Sequence, residues 1–107
     1  MPHNTNWVYM TAKDREEAVS IGEKLIGSKL AACINIFGNI DSIFMWEGKV
    51  EQDTEVAFIA KTTADKVPEL VETVKSLHSY DVPCIISLPI SNGNPDFISW
   101  IAESVGK

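Results

Sequence analysis

LAACINIFGNIDSIFMWEGKVEQDTEVAFIAK, residues 30–61, is the stretch on which the fold turns. Leu30–Phe37 is apolar almost throughout, as in a strand covered on both faces, and Ile40–Trp46 alternates more clearly. Gly48 and Lys49 interrupt the pattern, and Thr54–Lys61 reads as another strand. The segment therefore predicts a long antiparallel hairpin turning around Glu47–Asp53. A single strand from Leu30 to Trp46 at ~3.3 Å per residue would run roughly 50 Å, against a radius of gyration of about 13 Å for a domain of this length. It must bend, for which Gly38 and Asn39 are suited, or project. A projecting hairpin exposes Phe44, Met45, Trp46 and Phe58 unless another chain covers them, so self-association is expected.

Outward from the hairpin, Trp7–Thr11 is a short β-prone run, and Asp14 with Glu17 three residues later forms a capping-box pattern. Ala18, Ile21, Leu25 and Ile26 then recur at helical spacing before Gly27, which predicts a helix over Asp14–Ile26. Val67, Leu70, Val71, Val74 and Leu77 make a second helical stripe that ends near His78, with Pro68 early enough to be tolerated. Val82–Ile90 reads as a fourth strand whose prolines favour an edge. Asn94 as N-cap and Pro95 as first helical residue open a closing helix carrying Phe97, Ile98, Ile101 and Val105. The order is βαββαβ plus a terminal helix, an α+β class chain. It is the ferredoxin-like split βαβ arrangement, with two helices on one antiparallel sheet.

The 107 residues are expected to form one domain over 1–107, with residues 1–6 frayed. Fifteen Asp and Glu against nine Lys and Arg give a net charge of −6, which argues against nucleic acid and membrane surfaces as partners. The opening MPHNTNWVY lacks the basic start and apolar core of a signal peptide. Cys33 and Cys84 lie outside any C-x-x-C spacing, so a reducing, cytoplasmic setting is expected.

LAACINI (30–36), SIFMWEGKVEQDTEV (42–56), AKTT (60–63), LHSYDVPCIISLPI (77–90) and GNPDFISWI (93–101) together resemble the CutA family, over about Trp7 to Ile101. The resemblance implies a ferredoxin-like homotrimer with long hairpins packed between subunits. It also implies a part in tolerance to divalent cations, with copper as the expected metal ion.

His78 matches the family's histidine and is the first candidate metal ligand, since neutral imidazole suits copper and zinc. The competing reading is a helix-terminal His favoured by the helix dipole. Met10 stands where some family members carry Cys and would suit Cu(I), or else fills a gap in the core. Cys33 matches the family's cysteine and is either a third ligand or a small buried hydrophobe. Leu77 replaces a second histidine of some relatives. Cys84 replaces the family's usual Glu, either adding a thiolate or removing a carboxylate. His3 follows Pro2, which has no amide N–H to give to an amino-terminal copper chelate.

Trp46, Glu47, Glu55, Lys61, Tyr80 and Cys84 are expected to line a cleft between subunits, or else to belong to an ordinary interface. No G-x-S-x-G, P-loop or H-E-x-x-H pattern occurs, so enzyme activity is not expected. The leading expectation is a trimer binding copper weakly around His78. Its alternatives are a signalling trimer like the PII proteins, taking a small anionic effector through Lys61, and a structural trimer docking a partner protein.

Overall fold

In the computed structural model, which describes residues 4–106, β1 (Thr5–Ala12) leads into α1 (Arg15–Gly27) through the capping pair. Asp14 accepts from the Glu17 amide at 2.8 Å, and Glu17 reaches back to the Lys13 amide at 3.0 Å. β2 (Cys33–Trp46) and β3 (Lys49–Thr63) form the hairpin. A 3-10 turn at Ala64–Lys66, α2 (Val67–Leu77), β4 (Ile85–Pro89) and α3 (Pro95–Val105) follow. The antiparallel sheet has the order β2-β3-β1-β4, which is the ferredoxin-like topology that the element order predicts.

Strand alternation divides the sheet into two faces. Val8, Met10, Ala12, Val56, Phe58 and Ala60 lie on one, buried against Ala18, Ile21 and Leu25 of α1 and Leu70 and Val74 of α2. Gly22 lets α1 approach β2 closely, since a Cβ there would meet Ile34 Cγ2 at 3.1 Å. Ile59 and Lys61 point to the other face, where α3 packs: Lys61 Nζ stands 5.3 Å from the Phe97 ring centroid. None of the described helices is long and apolar enough to cross a membrane.

The hairpin turns in two residues, Glu47 (φ 50°) and Gly48 (φ 80°), between the paired Trp46 and Lys49. Positive φ at both central positions matches the twist of the flanking strands. The predicted turn over Glu47–Asp53 is thus too long, because Val50–Asp53 continue β3. Their side chains are exposed, with no core to impose an alternating apolar pattern. The bend falls where the glycine predicts it: Ile36 pairs with Phe58 and Gly38 with Ala57, leaving Phe37 as the extra residue of a β-bulge, and Gly38 adopts φ 109°. Beyond it the hairpin projects, giving a long axis of 48 Å against 25 and 22 Å for the others.

Phe44, Met45 and Trp46 are exposed as predicted, but Phe58 is not. It pairs with Ile36 on the near side of the bulge and faces the helices, fully buried. Thr5 and Asn6, expected to fray, instead begin β1 opposite Thr63 and Thr62; residues 1–3, with His3, lie outside the described residues. β4 is shorter than Val82–Ile90 and pairs only with β1, so it is a sheet edge. Replacing Phe58 with Ala is expected to cost about 3–5 kcal/mol in urea denaturation. Gly38→Ala, whose Cβ would meet nothing within 4 Å, should cost about 1–3 kcal/mol through backbone strain alone.

Candidate functional site

His78 follows α2 and turns its ring inward, fully buried. Nε2 lies 2.8 Å from the Thr11 carbonyl oxygen, and Nδ1 accepts from the Tyr80 amide at 3.1 Å. A carbonyl can only accept and an amide can only donate, so this pattern assigns the neutral Nε2–H tautomer. Around the ring, Glu17 of α1 accepts from the Ser79 amide at 2.9 Å and from its hydroxyl at 3.0 Å. Burial alone would raise the Glu17 carboxyl, but the hydrogen bonds from Lys13 and Ser79 outweigh it and hold the group below its ordinary value. The segment after α2 is thereby tied to β1 and α1. Tyr80, packed on the His78 ring at 4.7 Å between centroids, is delivered to the opposite face of the sheet's far end.

Tyr80 stands there in an open groove of about 760 Å³. Its walls are Tyr9, Ile40, Phe44, Trp46 and the turn Asp81–Cys84, and Glu51, Asp53 and Glu55 run along β3. Among the described residues no Lys, Arg or His lines it. Burial, then the adjacent Glu55 and the charges of Asp53 and Glu17, push the Tyr80 phenol far above its usual value. Burial and Glu55 likewise push the Cys84 thiol up, and burial, Cys84 and Glu55 raise Tyr9. All three stay protonated at neutral pH, so Cys84 is a weak soft donor.

The groove gathers Trp46, Glu55, Tyr80 and Cys84 of the predicted cleft, but Glu47 sits in the hairpin turn and Lys61 lies under α3 against Phe97. The predicted metal donors do not converge. His78 has both ring nitrogens engaged, and Met10 is fully buried on the helix-covered face. Cys33 is level with Lys61 on the other face, its Sγ 3.7 Å from Asn35 Oδ1. Among the described residues no three His, Cys, Asp or Glu side chains cluster as a metal site. His78, Met10 and Cys33 therefore do not fit a copper ion. Sequence reading missed Glu51, Asp53 and Asp81; the signal available for the first two was the Glu-x-Asp-x-Glu spacing of residues 51–55, which puts three carboxylates on one strand face.

A ferredoxin-like sheet with a long bulged hairpin and an acid-lined groove running along it defines the structural class. The CutA1 divalent ion tolerance protein family model matches residues 6–104, and the chain belongs to that family. It is 49% identical over 100 residues to the divalent-cation tolerance protein CutA of Archaeoglobus fulgidus, covering 94% of this chain and 97% of that one. The solved structure of the Archaeoglobus fulgidus protein superposes with a TM-score of 0.92 at 48% identity, covering 94% and 98% of the two chains. The Thermus thermophilus CutA is 41% identical over 92% of this chain and 96% of that protein. A chloroplastic CutA 1 of Oryza sativa is 42% identical over 91% of this chain, which spans about half, 55%, of that protein.

These comparisons correct the expected cytoplasmic setting, because the Archaeoglobus fulgidus protein is described as periplasmic and the Oryza sativa one as chloroplastic. The physical reason is plain: both described cysteines are free thiols and the fold uses no disulfide between them, so sparse cysteine carries no information about compartment.

His78→Ala is expected to cost about 2 kcal/mol, since it leaves the Thr11 carbonyl and Tyr80 amide without partners. For Glu17 the depressed value means that its stabilisation is fully present above the ordinary carboxylate range and is lost as pH falls through the folded value. The stability gap between wild type and Glu17→Gln, read from urea midpoints across a pH series, should therefore shrink toward low pH.

Proposed function

We propose that the chain serves divalent-cation tolerance as a homotrimer, holding a cation weakly in the acid-lined groove and not at a tight, dedicated site. The carrying observation is the lining itself, which among the described residues holds four carboxylates (Glu51, Asp53, Glu55 and Asp81) and no cationic side chain. Oxygen donors suit divalent cations, and the lack of a three-donor cluster among the described residues keeps the affinity low. Copper, the metal implied by the resemblance, would meet these oxygens before the engaged His78 or the buried Met10. Trimer formation is supported by the exposed Phe44, Met45 and Trp46 of the hairpin and Ile86 and Leu88 of the edge strand, apolar surface that neighbouring copies would cover. An anionic effector is disfavoured by the groove's charge and by the position of Lys61.

The test is light scattering at micromolar concentration, followed by calorimetric titration of demetallated protein with Cu(II), and with Cu(I) under reducing conditions. A trimeric mass is expected, with weak saturable binding that Asp53→Asn and Glu55→Gln reduce and His78→Ala leaves in place. A monomer, or binding abolished only by His78→Ala, would contradict the reading.

A further inference from the structure

Asn92 and Gly93, in the connection from β4 to α3, bring an electrophile and a nucleophile together in the backbone itself. The side-chain amide carbon of an asparagine lies within reach of the next residue's backbone nitrogen, and attack is easiest where that residue carries no side chain to shield the nitrogen. The chain has six asparagines, and the other five are followed by Thr5, Trp7, Ile36, Ile40 and Pro95. The first four of these crowd their own amide nitrogens with branched or aromatic side chains, and Pro95 has no N–H to give up.

The fold sharpens the distinction. Asn6, Asn35 and Asn39 lie in paired strands, and Asn6 also donates its side-chain amide to Ser87 Oγ at 2.7 Å. Asn94 caps α3, its side-chain oxygen accepting from the Asp96 amide at 3.0 Å. Asn92 instead stands in residues 91–94, which are exposed and belong to no helix or strand. Among the described residues neither its side chain nor the Gly93 N–H has a hydrogen-bond partner. The free pair lies between two fixed points, the Ile90 N–H donating to the Thr5 carbonyl at 2.9 Å and the Asn94 cap. This is the end of the sheet where Thr5 meets Thr63, whereas the hairpin projects from the other end, past Ala12 and Val56.

We infer that Asn92 is a self-modification site. The Gly93 nitrogen attacks Asn92 Cγ, the new N–Cγ bond replaces the Cγ–Nδ2 bond, and ammonia leaves carrying the Gly93 amide proton. Water then opens the resulting succinimide at either carbonyl, giving aspartate or isoaspartate. Both products add a negative charge just ahead of α3, where the helix dipole tolerates it. Isoaspartate also lengthens the backbone by a methylene. Gly93 passes so close to α3 that a Cβ there would meet Ile98 Cδ1 at 3.2 Å, so the lengthened loop must shift against the helix. The reaction uses neither the groove nor a metal and stands independently of the cation reading.

The test is peptide mapping by mass spectrometry on the full chain in its native oligomer, incubated at physiological temperature across a pH series, beside the chain unfolded in guanidinium chloride. An isoaspartyl carboxyl methyltransferase with labelled S-adenosylmethionine counts the isoaspartate. Asn92 should exchange NH2 for OH before any other asparagine, in the native oligomer within about threefold of the unfolded rate, and faster as pH rises because the deprotonated Gly93 nitrogen is the attacking group. Gly93→Ala should slow the conversion about tenfold and Gly93→Pro should abolish it; reading both variants unfolded as well keeps the result independent of their folding. An Asn92 that stays intact in the native oligomer while the unfolded chain converts overturns the inference. Conversion that persists in Gly93→Pro, or that is as fast at Asn4, overturns it equally.

Discussion

The hydrogen bond from the His78 ring to the Thr11 carbonyl is the joint on which the site depends. Thr11 lies one residue before the end of β1, and His78 lies just past α2, so one contact fixes the far end of a helix to the far end of a central strand. A second, from the Tyr80 amide to the other ring nitrogen, fixes the direction in which the chain leaves. Glu17 and Ser79 add a shell of hydrogen bonds that brings α1 into the same joint. A buried imidazole with both nitrogens satisfied is worth more as an architectural part than as a ligand, since freeing either nitrogen would strand a buried backbone group.

The bulge at Phe37 is the second constraint. A regular strand would keep its even residues on one face for its whole length, so the same parity that buries Ile34 and Ile36 would carry Phe44 and Trp46 away from Tyr80. One extra residue with a left-handed glycine beside it lets β2 contribute to the core at one end and to the groove at the other. The latch brings Tyr80 and the Asp81–Cys84 turn to the groove from one side, and the bulge brings the hairpin from the other.

Much of the fold was legible because local signals agreed with one another: the Asp14 capping box, the Asn94–Pro95 helix start and the helical stripes all lie where the elements form. The arithmetic of the Leu30–Trp46 run foresaw a bend or a projection, and both occur. The turn was misjudged because Val50–Asp53 face solvent, where a strand has no burial pattern to read. Phe58 was misplaced for a related reason, since its burial depends on cross-strand register and on which side of a bulge it lies. The site was only partly legible. Trp46, Glu55, Tyr80 and Cys84 were grouped through the resemblance, whereas the role of His78 is set by two backbone partners distant in sequence or in direction, which residue type does not reveal.

Charge, latch and hairpin give one account, in which a buried neutral histidine builds the wall of an acid-lined groove and the proposed cation contact falls to the carboxylates. The most direct measurement is nitrogen NMR of the His78 side chain at neutral pH, before and after addition of Cu(II). The account predicts a proton on Nε2, none on Nδ1, and resonances that persist at metal levels that already broaden those of Asp53 and Glu55. A proton on Nδ1, or His78 signals lost first as Cu(II) is added, would contradict it.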